Sequence, residues 1–272
     1  MTLKKYSMQK NKLFYFAGLL LLSMFAGCMP LESLDDPEGE TDPLTISELL
    51  LKYRCAYYTF DNSMATDVSV TSDRYDGVLF GDPKFLDDTP SGTGKSLFLN
   101  GIKQQYVNIP YNMFAKMDYF TVSLWIKDFS NGSIISGISS SDRAEAQWPR
   151  LYMQDDGKIL FYTKGDTYSG ENPPYAYNYT SIQSSGWHHL AVTCITNEKD
   201  PSTCVLRLYV DGVLMDNVSA RWKDPSGINK VQIGGNGNGV FPIWSSMKID
   251  NVSIFYAALG DGVIKYIYDN RL

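Results

Sequence analysis

The sequence predicts an all-β fold, a sandwich or jelly roll of antiparallel strands closed by a short C-terminal helix. Two observations carry that expectation. Roughly a dozen short runs alternate apolar and polar residues with period two, and Gly, Asn, Asp or Pro bounds nearly every one. The clearest case is 186–212. There Leu190, Val192 and Cys194 alternate with Ala191 and Thr193, and Leu206, Leu208 and Val210 alternate with Arg207 and Tyr209. Asp211-Gly212 then supplies the positive φ of a tight hairpin and leads into a third strand, 213–218.

The other elements follow in chain order. Residues 44–53 have helical spacing, with Ile46, Leu49 and Leu50 on one side, and read as a packing helix or a strand lead-in. Strands are expected from Ala56, at 77–81, 95–101, 105–110, 120–127 and 133–138. Asp155-Asp156-Gly157 separates two more, beginning at Arg150 and Lys158, in an evident hairpin. An irregular stretch, 164–185, is rich in Gly, Pro, Asn and Tyr. After the long hairpin come strands at 230–235 and 247–256. Residues 260–270 then read as a helix facing Val263, Ile264 and Ile267 inward.

The first 27 residues are not part of this fold. Lys4, Lys5, Lys10 and Lys12 form a basic leader, an apolar run of 13–25 follows, and small residues precede Cys28. This is the three-part layout of a secretory signal peptide. The ending Phe25-Ala26-Gly27-Cys28 resembles a bacterial lipobox, which implies that Cys28 carries lipid and anchors the chain in a membrane. Residues 28–44 are acidic and proline-containing, too polar to form a core, and read as a tether. Acid placed just behind the lipidated cysteine also resembles the surface-export signal of Bacteroidetes lipoproteins. That resemblance implies display on the outer face of the outer membrane. Residues 45–272 form the folded domain.

Charge excludes one class of partner. Removing the four leader lysines takes the formal charge from −6 to −10, 20 basic against 30 acidic residues, so nucleic acid has no footprint here. Of the cysteines beyond Cys28, Cys194 and Cys204 lie equidistant from the turn between their strands. A register that sets them opposite each other also pairs Val192 with Leu206 and Leu190 with Leu208, which predicts a cross-turn disulfide and leaves Cys55 a buried free thiol. Zinc is not expected, since there is no Cys-x-x-Cys pair and the only histidines, His188 and His189, are adjacent on a strand and point to opposite faces.

An ordered set of short segments resembles the laminin-G-like domains of the concanavalin A-like lectin/glucanase superfamily. They are Tyr58-Thr-Phe-Asp-Asn, Gly94-Lys-Ser-Leu-Phe-Leu-Asn-Gly, Phe120-Thr-Val-Ser-Leu-Trp-Ile, Gly186-Trp-His-His-Leu-Ala-Val-Thr, Leu206-Arg-Leu-Tyr-Val-Asp-Gly, Val231-Gln-Ile-Gly and Ile249-Asp-Asn-Val-Ser-Ile-Phe. The resemblance implies a two-sheet antiparallel sandwich, a concanavalin A-like jelly roll. It also implies one structural calcium ion, because related domains hold a cation with an early aspartate and one on the last strand. Asp61 and Asp250 stand at those places.

Catalysis is not expected. The superfamily's glucanases carry Glu-x-Asp-x-x-Glu, and Glu48, Glu145, Glu171 and Glu198 never approach that spacing. The glycine-rich segments 91–96 and 234–239 read as turns, the first lacking the leading glycine of a phosphate loop and the second preceding no amphipathic helix. For binding, aromatic residues in or beside loops offer faces for sugar rings, with amide and guanidinium groups for hydroxyls. Trp148, Tyr168, Tyr175, Tyr177 and Trp244, with Arg150 and Asn178, form the expected carbohydrate site. The sequence therefore reads as a non-enzymatic lipoprotein binding glycan for an outer-membrane uptake system. The alternative is a protein-interaction subunit of a TonB-dependent transporter complex, or an adhesin.

Overall fold

The computed structural model describes residues 44–69, 75–115, 117–139, 149–154, 156–163, 175–177, 181–222, 225–235 and 244–272. Cys28, the tether, Trp148, Tyr168 and Asn178 lie outside the described residues, as do the side chains of Tyr175 and Tyr177.

Two antiparallel sheets pack face to face. The first joins β1 (Arg54–Tyr58), β3 (Lys84–Leu86), β4 (Ser96–Leu99), β6 (Tyr119–Lys127), β11 (His188–Asn197), β12 (Asp200–Val210), β13 (Val213–Arg221) and β15 (Met247–Phe255). Its order is β13-β12-β11-β6-β15-β4-β3, with β1 also paired to β15. The second holds β2 (Val78–Phe80), β5 (Tyr106–Ile109), β7 (Gly132–Ser139), β8 (Arg150–Met153), β9 (Ile159–Tyr162), β10 (Tyr175–Tyr177) and β14 (Ile228–Ile233), in the order β10-β9-β8-β7-β14-β5-β2. Alternation explains the layering. Val122, Leu124, Val192, Leu208 and Ile254 from one sheet meet Val107, Leu151, Phe161, Val231 and Ile233 from the other in a single buried core.

A second, smaller core covers the outer face of the eight-stranded sheet. Helix α1 (Ile46–Tyr53) begins at a capping box, in which Thr45 and Glu48 satisfy each other's backbone N–H groups. It buries Leu49 and Leu50, and α2 (Asp261–Asp269) buries Val263, Ile264 and Ile267, all against Ala191, Tyr209 and Phe255. The chain end locks this layer. The Trp125 indole donates to the carbonyl of Leu272 (3.0 Å), and Tyr209 donates to Asp261 (2.7 Å).

The two histidines face opposite ways, as a strand requires. His189 is fully buried against Ser123, 2.8 Å away, and burial drives its imidazole down to about 3, so it is neutral. His188 sits between Asp211 Oδ2 and the Gln183 carbonyl, both at 2.8 Å, and pins the β12–β13 turn to the chain entering β11. Both are scaffold.

One expectation is corrected. Cys194 pairs with Leu206, and Cys204 with Thr196, so β12 is displaced by two residues from the register that would set the cysteines opposite each other. The cause is local. Asn197 pairs with Asp200, but Pro201 has no N–H for the ladder, and regular pairing resumes only at Cys204. The Asp200 carboxylate fixes the offset by accepting from the Ser202 backbone (3.1 Å) and hydroxyl (2.6 Å). A slip of two preserves side-chain parity, so the apolar face stays inward. The expected disulfide is not formed. Cys194, Cys204 and Cys55 are buried thiols outside any disulfide, and burial pushes Cys194 well above the usual thiol range, with Cys204 as its hydrogen-bond neighbour.

Candidate functional site

With α1, α2 and the chain end over one sheet, the outer face of the seven-stranded sheet is the broad surface left without a helix among the described residues. Pairing puts one residue from every strand of that sheet in a single row. Tyr175 faces Tyr162, then come Arg150, Ser136, Gln232, Asn108 and Val78. From Tyr162 to Val78 all share a side because each is in direct register with the next. The row is aromatic and cationic at one end and amide-rich towards the other.

Arg150 is the chemical centre of the first end. Its guanidinium carbon lies 4.7 Å from the centroid of Tyr162 and 5.2 Å from that of Tyr152. Burial lowers its pKa, while Tyr162 and Tyr152 work against the shift. Tyr152 is held in turn by a hydrogen bond to the Asn131 side chain. Held this way, the guanidinium is a preorganised fork of donors. Beside it on the row Ser136 and Gln232 are buried, and the hydroxyls of Ser133 and Ser136 have no hydrogen-bond partner among the described residues.

At the other end three rings form a column. Phe80 and Tyr106, direct partners on β2 and β5, stack at 4.6 Å with planes 6° apart. Trp244 follows at 5.0 Å and 36°. Its six-membered ring lies close against Gly235, where an added Cβ would come within 2.4 Å of it. Arg150 stands on β8, whereas the Trp244 ring packs on Tyr106 of β5 while its backbone bridges Ser133 of β7. Trp222, also beside a loop in the sequence, is buried against Phe120 instead, 5.9 Å between centroids.

Sequence reading missed Phe80, Tyr106, Tyr152 and Tyr162. The signal was present for two of them. Counting alternate positions outward from the Asp155-Asp156-Gly157 turn places Tyr152 and Tyr162 on the same side as Arg150. Phe80 and Tyr106 meet only through the pairing of β2 with β5, which no local pattern announces.

The structure brings Asp61 and Asp250 together. Asp250 is buried at a bulge in β15, where Asn251 takes a φ of 48° and donates its N–H to Asp250 Oδ1 (2.8 Å). Burial first, and the charge of Asp61 second, raise the Asp250 carboxyl to about 8. Asp61 accepts from the Lys95 N–H at 2.8 Å. It fits only because residue 94 is glycine, with a φ of 79°, where a Cβ would sit 1.9 Å from Asp61 Oδ1. Asp61 thus lies close enough for its charge to act on a carboxyl that burial already deprives of water. No group of three or more His, Cys, Asp or Glu side chains converges among the described residues.

The described glutamates and Asp88 are engaged in structural contacts. Glu48 is spent on the helix cap, and Glu198 accepts from the Tyr119 hydroxyl (3.1 Å). Glu145 and Glu171 lie outside the described residues. Burial raises Asp88, but hydrogen bonds from Lys248, Lys127 and Trp187 outweigh it and bring the acid down to about 2. It is a fixed anion tying β6 to β15.

Comparison with solved structures agrees on the fold. The chain is similar to domain 4 of AbnA, a GH43 extracellular arabinanase from Geobacillus stearothermophilus, solved with arabinotriose. The TM-score is 0.58 at 19% identity, over 79% of this chain and 98% of that domain. It is similar also to the binding domain of botulinum neurotoxin DC, solved with rat synaptotagmin II (TM-score 0.55, 16% identity, 82% of this chain). A botulinum neurotoxin type C structure whose description ties cell entry to two ganglioside molecules matches equally well (TM-score 0.55, 15% identity, 82% of this chain). The chain spans about half of these toxin chains, 52% in both cases. Comparison with curated proteins finds no match. A laminin G family profile matches residues 100–265, more than half of the sequence, and the chain is therefore a member of the concanavalin A-like lectin/glucanases superfamily.

Proposed function

We propose that this protein is a non-enzymatic carbohydrate-binding lipoprotein, anchored through Cys28 in the outer membrane, facing the cell exterior and serving a nutrient-uptake system. The observation that carries the binding role is the row on the outer face of the seven-stranded sheet, with Arg150 held between Tyr152 and Tyr162. Rings there cover the apolar face of a sugar while the guanidinium donates to its hydroxyls. The arabinotriose-bound neighbour supports a glycan as ligand. Tyr175 and Tyr177 lie on β10, at the same end of the sheet. The basic leader, lipobox and acidic tether support the address, and the Asp61–Asp250 pair supports one structural calcium.

Affinity electrophoresis tests the binding role. The full-length protein, in detergent, should be retarded in gels containing neutral polysaccharide, and Arg150→Met should restore mobility. Unretarded migration in every gel would contradict it.

One observation favours a second reading, docking on a TonB-dependent transporter or another protein. Strand β13 ends the eight-stranded sheet and exposes Val213, Leu214 and Met215 in succession. Co-purification from detergent-solubilised outer membranes decides it, and a partner-free monomer would exclude it.

A further inference from the structure

The geometry points to a separate subsite at the far end of the same face, where the Phe80–Tyr106–Trp244 column takes one sugar ring of a neutral glycan chain. This deepens the carbohydrate reading above and rests on it, yet it involves different residues from the Arg150 end. Four observations build it.

The rings are ordered. Phe80 and Tyr106 stack nearly parallel, Trp244 continues the column, and Gly235 leaves the indole room that any side chain would fill. The column is also open at its end. β2 is the last strand of the sheet, so the side of Phe80 turned away from Tyr106 has no further strand beside it, and Phe80 is 41% exposed. Apolar surface continues around it. Val78 is 52% exposed, and Ile102 is 94% exposed on the turn Gly101–Lys103 that abuts the Trp244 carbonyl.

The polar groups beside the column are uncharged. From β2 inward the row reads Val78 and Asn108, then the buried Gln232 and Ser136, without a carboxylate or ammonium. Asn108 accepts from Gln232 Nε2 at 3.4 Å and makes no other side-chain hydrogen bond among the described residues, which leaves its amide donors for a ligand. The Trp244 indole N–H is buried, without an acceptor among the described residues, and is not counted among the ligand donors. Rings beside neutral donors suit a polyol with apolar faces, whereas a charged peptide would find no ionic partner in this row.

From β2 to β8 the face crosses four strand spacings, about 19 Å at roughly 4.8 Å each. A ligand touching both ends is therefore a chain of several sugar units, not a terminal residue.

The test uses full-length protein in detergent, gels containing arabinan, xylan or mannan, and three proteins: the parent chain, Phe80→Ala and Arg150→Met. Phe80 is a half-exposed edge residue, so its removal should leave the melting temperature near that of the parent, which a thermal melt checks. Retardation of Phe80→Ala should weaken about 3- to 10-fold, the value of one aromatic stacking contact. If Arg150→Met loses binding while Phe80→Ala equals the parent, the carbohydrate reading stands and the column is not a subsite. If the parent binds no polysaccharide, both fall. If it binds none and a protein is instead captured in a Phe80-dependent way, the column is a protein contact and the proposal is overturned.

Discussion

Asp250 shows most directly how packing governs the ionisation of one side chain. Its folded pKa of about 8 stands above the ordinary 3.8, with burial as the main cause and Asp61 assisting. A raised carboxyl contributes stability that is full below about pH 4 and lost as pH rises through about 8. The calcium-free protein should therefore lose melting temperature across that window. Asp250→Asn, which cannot ionise, should remove this component of the slope, and calcium at pH 8 should raise the melting temperature of the parent but not of the variant. Scanning fluorimetry with chelator or calcium reads both, and an unchanged slope in Asp250→Asn would remove Asp250 from the account. Both aspartates were legible in the sequence only through the family resemblance. What local pattern does not reveal is the cradle itself, since Gly94, the Asn251 bulge and Asp61 come from three distant segments.

At the scale of elements, the long hairpin separates what periodicity can tell from what it cannot. Alternation located β11 and β12 and the face each buries, but a slip of two leaves that face unchanged, so the pattern is blind to it. Pro201 and the Asp200–Ser202 bonds decide the register, and with it the chemistry of the cysteines. Thiol titration should find no reactive Cys55, Cys194 or Cys204 in the native protein and all three after denaturation. A cross-turn disulfide would leave one. The helices were plainer, because an apolar stripe at helical spacing has one way to bury itself. Ile264, fully buried between α2 and the sheet, should cost about 2–5 kcal/mol as Ile264→Ala, measured by urea unfolding. A cost below about 1 kcal/mol would mean that the outer core does not hold the helix.

At the scale of the whole molecule, the two sheets have unequal roles. Helices, Trp125 and the carbonyl of Leu272 occupy the outer face of the eight-stranded sheet, and the face proposed to meet a ligand belongs to the other sheet. The sequence pointed to aromatic loops as the site. It could not show that Arg150, Tyr162, Asn108 and Val78 share one row, because that alignment exists only after β9, β8, β7, β14, β5 and β2 pair in an order far from their order in the chain. The central claim is that this face binds carbohydrate. Its most direct test is a glycan array probed with full-length parent protein and Arg150→Met, each first shown to be folded by its thermal melt. The account predicts that the parent binds at least one class of neutral oligosaccharide and that Arg150→Met loses that binding. Equal binding by both proteins, or no binding by the parent, would contradict it.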